Sequence, residues 1–247
     1  MKVISFFNNK GGVGKTTSAV NVAAELGLQG NKVLLIDLDP QCNSTNYLGS
    51  HYPPSAGAYE LLKGEDVSIA FTYYENLWII PASINLMALE EESKIDDITK
   101  VRLRDYLYSK EESFDYIIID CPPSLGLITI NALVASNYVL IPAKVGKFDL
   151  DGFETLFNAV NVVRDELNPR LKILGVFLTM YRNINFYRQI KTELKSELNE
   201  LLFNQTISLS VPVARSTFEQ KPIAYLSKNC KAAKEYRKLV EEMLCRI

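Results

Sequence analysis

Lys10-Gly11-Gly12-Val13-Gly14-Lys15-Thr16-Thr17 stands between an apolar run, Lys2 to Phe7, and a helical pattern that starts at Lys15 and continues to about Leu28. A glycine-rich turn between a strand and a helix is the setting in which such a run gathers phosphate. Glycines let consecutive backbone N–H groups turn inward as an anion nest, and the helix start adds the positive end of its dipole. Gly11, Gly12, Val13 and Gly14 would form the nest. Lys15 can reach the β and γ phosphates, the Thr16 hydroxyl can ligate Mg²⁺, and Thr17 would contact the α phosphate. A turn without a ligand gives no reason for Lys-Thr-Thr at this point. The loop therefore predicts a nucleotide.

Outward from the loop, Val20, Ala23, Ala24 and Gly27 recur at spacings of three and four, which gives the first helix one packing face. Gly30-Asn31 closes it, and Lys32 to Ile36 reads as a second buried strand. Further strand-like runs are Leu77–Ile80, Tyr116–Ile119, Tyr138–Ile141 and Leu171–Leu178. Helical patterns fall at Ile98–Tyr108, Leu125–Ala135, Gly152–Leu167, Phe186–Leu202 and about Lys231–Leu244. Near-continuous apolar strands alternating with helices predict an α/β fold: a doubly wound, mostly parallel sheet with helices on both faces. Ligands of such sheets sit beyond the carboxyl ends of the strands. With 247 residues, no internal repeat and no long linker, one domain spanning 1–247 is expected, the turn-rich Ser50–Gly57 being an excursion within it.

Composition narrows the chemistry. The chain is 47% hydrophobic and 23% charged, within the ordinary globular range, and has no apolar stretch long enough to span a bilayer. The run Val3–Phe7 is too short for a signal-peptide core, so a cytoplasmic protein is expected. Cys42, Cys121, Cys230 and Cys245 form no CxxC pair and read as reduced thiols. His51, the single histidine, falls in a Pro-containing loop and reads as a surface residue, which argues against histidine-based catalysis. From Arg170 onward there are 14 Lys and Arg against 7 Asp and Glu, on a chain of net charge −2. Two readings stay open for that basic third: a surface for a polyanion, or solvated helix faces.

The loop departs from the common GxxxxGK[ST] pattern. Asn9 stands where the first glycine belongs, and a second lysine, Lys10, precedes the double glycine. Lys10 is too far round the loop to serve its own phosphates as Lys15 does, but it could project across a two-fold interface. KGGVGKTT resembles the deviant Walker A signature of the ParA/MinD group of P-loop NTPases, in which the first lysine reaches the partner subunit's phosphates. The resemblance continues through Val33-Leu34-Leu35-Ile36-Asp37-Leu38-Asp39-Pro40-Gln41, Leu77-Trp78-Ile79-Ile80-Pro81-Ala82, Leu178-Thr179-Met180-Tyr181, and Tyr116 to Gly126, which looks like a Walker B strand and second switch. These landmarks span most of the chain.

What the resemblance implies is specific. Lys10, Lys15 and Asp39 would be the catalytic residues of an ATPase, with Asp39 orienting the attacking water. Asp120 would hold the hydration shell of Mg²⁺ beside Thr16. Asp37 keeps two readings, a strand-end carboxylate bonded to backbone or a switch residue. Pro122-Pro123 either stiffens the turn after Asp120 or only ends the strand. Pro212 and the segment to Arg215 should lie along the adenine, with Asn183 or Arg182 near its edge, although the stretch to Lys221-Pro222-Ile223 is shorter than in Soj-like relatives. Lys147 also departs, standing where many relatives carry an acid.

The activity implied is that of a ParA/Soj-like partition ATPase. ATP would close a sandwich dimer on non-specific DNA, and a ParB-like partner would stimulate hydrolysis and release, moving plasmid or chromosome cargo in a nucleoid-associated cycle. The chain begins almost at its first strand, which leaves no room for an N-terminal helix-turn-helix domain. DNA contacts would then fall to surface cations such as Arg182, Arg188, Lys191, Arg215 and Lys221, chiefly on phosphates. The alternative is a MinD-like membrane-cycling ATPase, which requires a free amphipathic C-terminal helix. Leu239, Val240, Met243, Leu244 and Ile247 make an apolar stripe there, but Glu241 and Glu242 interrupt its basic side. Packing of that helix on the core is expected. An iron–sulfur relative would need clustered cysteines, which are missing.

Overall fold

Successive residues of a strand point to opposite faces of its sheet, and the runs predicted above divide accordingly between two cores. Val3, Leu34, Ile36, Ile117, Ile119, Val139 and Ile141 enter one core, while Ile4, Phe6, Val33, Leu35, Ile118 and Leu140 enter the other. The computed structural model describes residues 1–50, 55–91, 98–110, 112–145 and 149–247. His51 and Lys147 lie outside the described residues.

The strands are β1 (Lys2–Phe6), β2 (Val33–Asp37), β3 (Ala70–Phe71), β4 (Leu77–Ile80), β5 (Tyr116–Asp120), β6 (Tyr138–Lys144), β7 (Lys172–Tyr181) and β8 (Leu202–Ser208). They form one sheet in the order β3-β4-β2-β5-β1-β6-β7-β8, parallel throughout except for β3 against β4. The helices are α1 (Lys15–Leu28), α2 (Asn43–Leu48), α3 (Ala58–Lys63), α4 (Leu86–Glu91), α5 (Arg102–Tyr108), α6 (Leu127–Ala135), α7 (Asp149–Glu166), α8 (Asn185–Leu198), α9 (Val211–Phe218), α10 (Ile223–Leu226) and α11 (Lys231–Leu244). Residues of α1 and α11 close one core, and residues of α5, α6, α7 and α8 close the other. This is the expected doubly wound α/β fold. From β1 the chain turns to one side to build β2, and from β5 it returns to build β6, β7 and β8 on the other. The connections diverge at β1 and β5, the crevice where such sheets hold ligands.

Several boundaries differ from expectation, three helix ends among them. The helix expected over Ile98–Tyr108 begins at Arg102, after turns through residues 98–101. The helix expected over Leu125–Ala135 begins at Leu127 behind Gly126. The helix expected over Phe186–Leu202 ends at Leu198, because Asn199 takes a positive φ of 47° and a short 3₁₀ turn follows. The chain then enters β8, which the sequence did not announce. Asn204, Gln205, Thr206 and Ser208 give it the polar look of a loop.

That polarity belongs to an edge strand. β8 has no strand beyond it, and its outward N–H groups are taken by carboxylates of α11. Glu242 accepts Asn204 N and Gln205 N, each at 2.8 Å, and Glu235 accepts Ser208 N at 2.8 Å and the Ser208 hydroxyl at 2.6 Å. Arg246 completes the seal, bonding Glu242 at 2.7 Å and lying over the Phe203 ring at 3.8 Å. The apolar side of the same helix is buried: Leu239, Val240 and Met243 are fully covered. The C-terminal helix is thus packed on the core, as expected.

Candidate active site

The loop after β1 is held from both sides before any ligand arrives. At its entry the Asn8 amide donates to Pro142 O at 2.9 Å, and the Asn8 carbonyl accepts Lys10 N at 3.0 Å. At its far side the Thr179 hydroxyl donates to Val13 O at 2.7 Å. Gly12 and Gly14 have φ of +67° and +85°, a region in which a Cβ is strained, although nothing crowds Gly12. What these glycines supply is backbone direction rather than space, as an inward-facing nest requires. Lys10 is partly buried, and its ammonium lies so close to Gly152 that a Cβ there would approach it to 3.2 Å.

Lys15 is only 7% exposed and returns its ammonium to Lys10 O at 3.1 Å, bridging the mouth of the loop. Burial lowers its pKa, while the charges of Asp120 and Asp39 pull the other way. The three ionisable residues singled out above, Lys15, Asp39 and Asp120, therefore share one site.

Asp120 ends β5, opposite Asp37 in the register of β2 and opposite Phe6 in that of β1. Burial pushes its pKa up, and the hydroxyls of Ser44 and Thr16 draw it back down. One oxygen accepts the Ser44 hydroxyl at 2.7 Å, whereas Oδ1 is buried and makes no hydrogen bond of standard geometry. A buried carboxylate oxygen short of a full hydrogen bond is costly. A hydrated divalent cation between it and the Thr16 hydroxyl would supply that partner, so Thr16 and Asp120 fit a magnesium site.

Asp37 resolves differently. Its Oδ1 accepts Asp39 N at 3.1 Å, and its Oδ2 accepts Thr45 N at 2.8 Å and the Thr45 hydroxyl at 2.7 Å. Burial, then the Asp120 charge, raise its pKa. It is the strand-end carboxylate bonded to backbone, and it fixes α2 and the turn before it. Asp39, 8% exposed, sits in that turn with its Oδ1 on Gln41 N at 2.9 Å. The described hydrogen bond of the Asp39 carboxylate falls on Oδ1.

A buried hydroxyl network ties this turn to the rest of the site. The Tyr47 hydroxyl on α2 meets the Ser216 hydroxyl on α9 and accepts from the Asn21 amide of α1 at 3.4 Å. Asn21 also donates to Thr17 O at 2.7 Å and accepts Ile223 N at 2.8 Å, and Ser216 donates to Lys221 O at 2.7 Å. One network thereby joins α1, α2, α9 and α10. Sequence reasoning missed Ser44, Thr45, Tyr47 and Ser216, and it named Thr179 within a landmark without giving its hydroxyl a task. The hydroxyls of the other four carry no local motif, and only the assembled sheet brings them together.

Beside the loop lies a cavity of about 370 Å³, lined by Gly14, Thr17 and Ser18 on one wall and by Met180, Leu209, Ser210, Val213 and Thr217 opposite. No charged side chain lines it. A second cavity of about 380 Å³ lies at the amino ends of the strands, near Met1, Arg104 and Arg170, away from the loop. Position rather than size sets the first apart from the second. Arg182, Asn183 and Pro212, expected along the adenine, are not among its lining residues. Met180 and Val213 do line it, Val213 within the segment expected along the adenine. Arg182 and Asn183 are exposed beyond β7, and Asn183 accepts Arg188 Nε at 2.9 Å.

The expected DNA contacts separate into two groups. Arg188 and Lys191, joined by Lys195 and Tyr181, line a groove of about 570 Å³ between α8 and β8. Lys191 is half-buried there, donating to Asn204 O at 2.6 Å. Arg215, paired with Glu219 at 2.5 Å, and exposed Lys221 belong instead to α9 and the turn after it. Among the described residues no group of His, Cys, Asp and Glu could hold a metal by clustering, and no helix is long and apolar enough to cross a membrane.

A parallel sheet with a glycine nest, a buried lysine and an unsatisfied aspartate at its carboxyl edge defines a P-loop nucleotide-binding protein. Comparison with known proteins narrows that class. The AAA domain family matches residues 1–173. The sporulation initiation inhibitor protein Soj of Bacillus subtilis (strain 168) is 40% identical over 98% of this chain and 98% of its own. A plasmid partition protein of Borrelia burgdorferi B31 bound to AMPPNP superposes with a TM-score of 0.85 at 30% identity, covering 100% of this chain and 99% of that one. Cobyrinic acid a,c-diamide synthase from Mycobacterium smegmatis, with bound ADP and magnesium, gives 0.84 at 29% identity over 99% and 94%. The chain belongs to the Soj/ParA family of partitioning ATPases.

Proposed function

We propose that this chain is one ATPase domain that partitions DNA through a nucleotide-switched dimer. With ATP and Mg²⁺ two copies close face to face, and the dimer binds DNA without reading its sequence. A ParB-like partner then stimulates a slow hydrolysis and releases it, moving plasmid or chromosome cargo across the nucleoid. The observation that carries this reading is the meeting of Lys15, Asp39 and Asp120 at a loop that contains a second lysine, Lys10.

Each residue has a physical task. The nest of residues 11–14 orients the phosphates, and Lys15 neutralises charge that builds on them. Magnesium, when bound, would supply further charge neutralisation for the phosphates, and Thr16 and Asp120 are the residues that would hold it. Asp39 orients the attacking water. Lys10 completes the partner's site across the interface. The relatives support the cargo by their names, those of a chromosome-partitioning ATPase of Treponema pallidum (strain Nichols) and a plasmid partition protein. The buried stripe Leu239, Val240 and Met243 favours DNA over a membrane, since a helix that supplies the core cannot also enter lipid.

Co-sedimentation with non-specific DNA across a salt series, with ATP, ADP or no nucleotide, tests this. Binding is expected with ATP alone and should fall steeply with salt, as phosphate contacts require. Equal binding in all three states, or ATP-dependent capture by anionic vesicles instead, would sink it. Lys10→Ala is expected to leave ATP affinity within a factor of about 3 while weakening ATP-dependent dimerisation at least tenfold, roughly the worth of one charge-assisted hydrogen bond. Light scattering with ATP reads this directly. An intact dimer removes Lys10 from the interface.

A further inference from the structure

Ser210 stands immediately before α9, at the N-cap position, where a serine ordinarily bonds the N–H of the second or third helical residue. Here it makes no capping bond. The second helical residue is Pro212, which has no N–H, and Val213 N is not reached. The Ser210 hydroxyl is nevertheless buried, and it has no hydrogen-bond partner. It lines the cavity of about 370 Å³ beside the phosphate loop, a cavity walled by Met180, Leu209, Val213 and Ala214 and by the hydroxyls of Thr17 and Thr217. Its extended backbone, φ −150° and ψ 149°, carries no strain that would explain the missing bond.

Leaving a buried hydroxyl unpaired destabilises the free protein, and the local cap that would satisfy it is not made. Hydroxyl-bearing and apolar walls without a charged group suit an aromatic heterocycle with hydrogen-bonding atoms on its rim. From this geometry we infer that Ser210 reads the edge of the nucleotide's base, its hydroxyl being held without a partner until the base supplies one. The inference rests on the reading of the site as an ATP site and adds the residue that recognises the base. The same hydroxyl can donate to a ring nitrogen and accept from an exocyclic amine, the pair that adenine presents side by side. Ser210 is thus a specificity residue, separate from Lys15 and the nest, which hold phosphate alone.

The test is Ser210→Ala, with Ser210→Thr as the variant that keeps the hydroxyl. Calorimetric titration with ATP, GTP and inorganic tripolyphosphate should show ATP affinity reduced about 5- to 10-fold in Ser210→Ala. Tripolyphosphate affinity should be unchanged, the preference for ATP over GTP should narrow, and Ser210→Thr should recover most of the loss. The ligand-free Tm of Ser210→Ala should be equal to or above that of the wild type, since an unsatisfied group has gone. A lowered Tm would mean that the hydroxyl caps α9 in solution, and it would overturn the inference. ATP affinity unchanged, or ATP and tripolyphosphate weakened alike, would overturn it too. Failure of the wild type to bind ATP at all would instead defeat the ATP-site reading.

Discussion

Lys15→Ala is expected to lower ATP affinity by at least 100-fold. The ammonium makes two charge-assisted hydrogen bonds to phosphate oxygens in the proposed complex, each worth roughly 1.5–3 kcal/mol. No other described lysine faces the same mouth from within the loop: Lys10 lies against Gly152, and only its carbonyl meets the Lys15 ammonium. The protein already bears the cost of burying Lys15, since burial lowers its pKa in the free state. Removing the side chain should therefore leave the fold intact, with an unchanged or raised Tm beside the lost binding. Isothermal titration with ATP and Mg²⁺ checks this. Wild-type affinity in the mutant would show that the nest is not the phosphate site.

Asp39→Ala is expected to retain ATP and the dimer but to slow hydrolysis by roughly 10²- to 10⁴-fold, the usual worth of a positioned group acting on the nucleophile. The protein should then persist on DNA after ATP is diluted away. The substitution also deletes the bond from Asp39 Oδ1 to Gln41 N, so a loosened turn has to be separated from a lost role on water. Asp39→Asn makes that separation, because its side-chain oxygen still accepts from Gln41 N while the charge has gone. Both variants are expected to fail in phosphate release and to resemble each other in DNA residence. Normal turnover in either one takes Asp39 out of the mechanism.

These two residues were legible in the sequence for a reason that does not extend to the whole site. Lys10 to Thr17 is local, since strand, turn and helix lie within one stretch and the chemistry is written in consecutive residues. Asp39 and Asp120 follow runs of apolar residues that mark strand ends, and a parallel sheet brings those ends together. The sheet itself was readable wherever strands are buried on both faces. β8 was not, because its polarity answers to carboxylates of a helix 27 to 38 positions away. Arg182, Asn183 and Pro212 do not line the cavity beside the loop, whereas Val213, inside the expected segment from Pro212 to Arg215, does, because motif spacing fixes segments and not which side chain faces inward. Tyr47 and Ser216 were invisible: their bond spans 169 positions, and no pattern of spacing reports it.

The carboxylates of Glu235 and Glu242 also set the directions in which this molecule can grow. A bare outer strand offers a row of backbone donors and acceptors on which a second copy can continue the sheet. Here the donors along Asn204, Gln205 and Ser208 are spoken for, and the arginine behind them locks the cover in place. Copies cannot be zipped together along this flank. The opposite edge of the sheet is β3, only two residues long, so among the described residues neither flank offers a long open strand on which a second copy could continue the sheet.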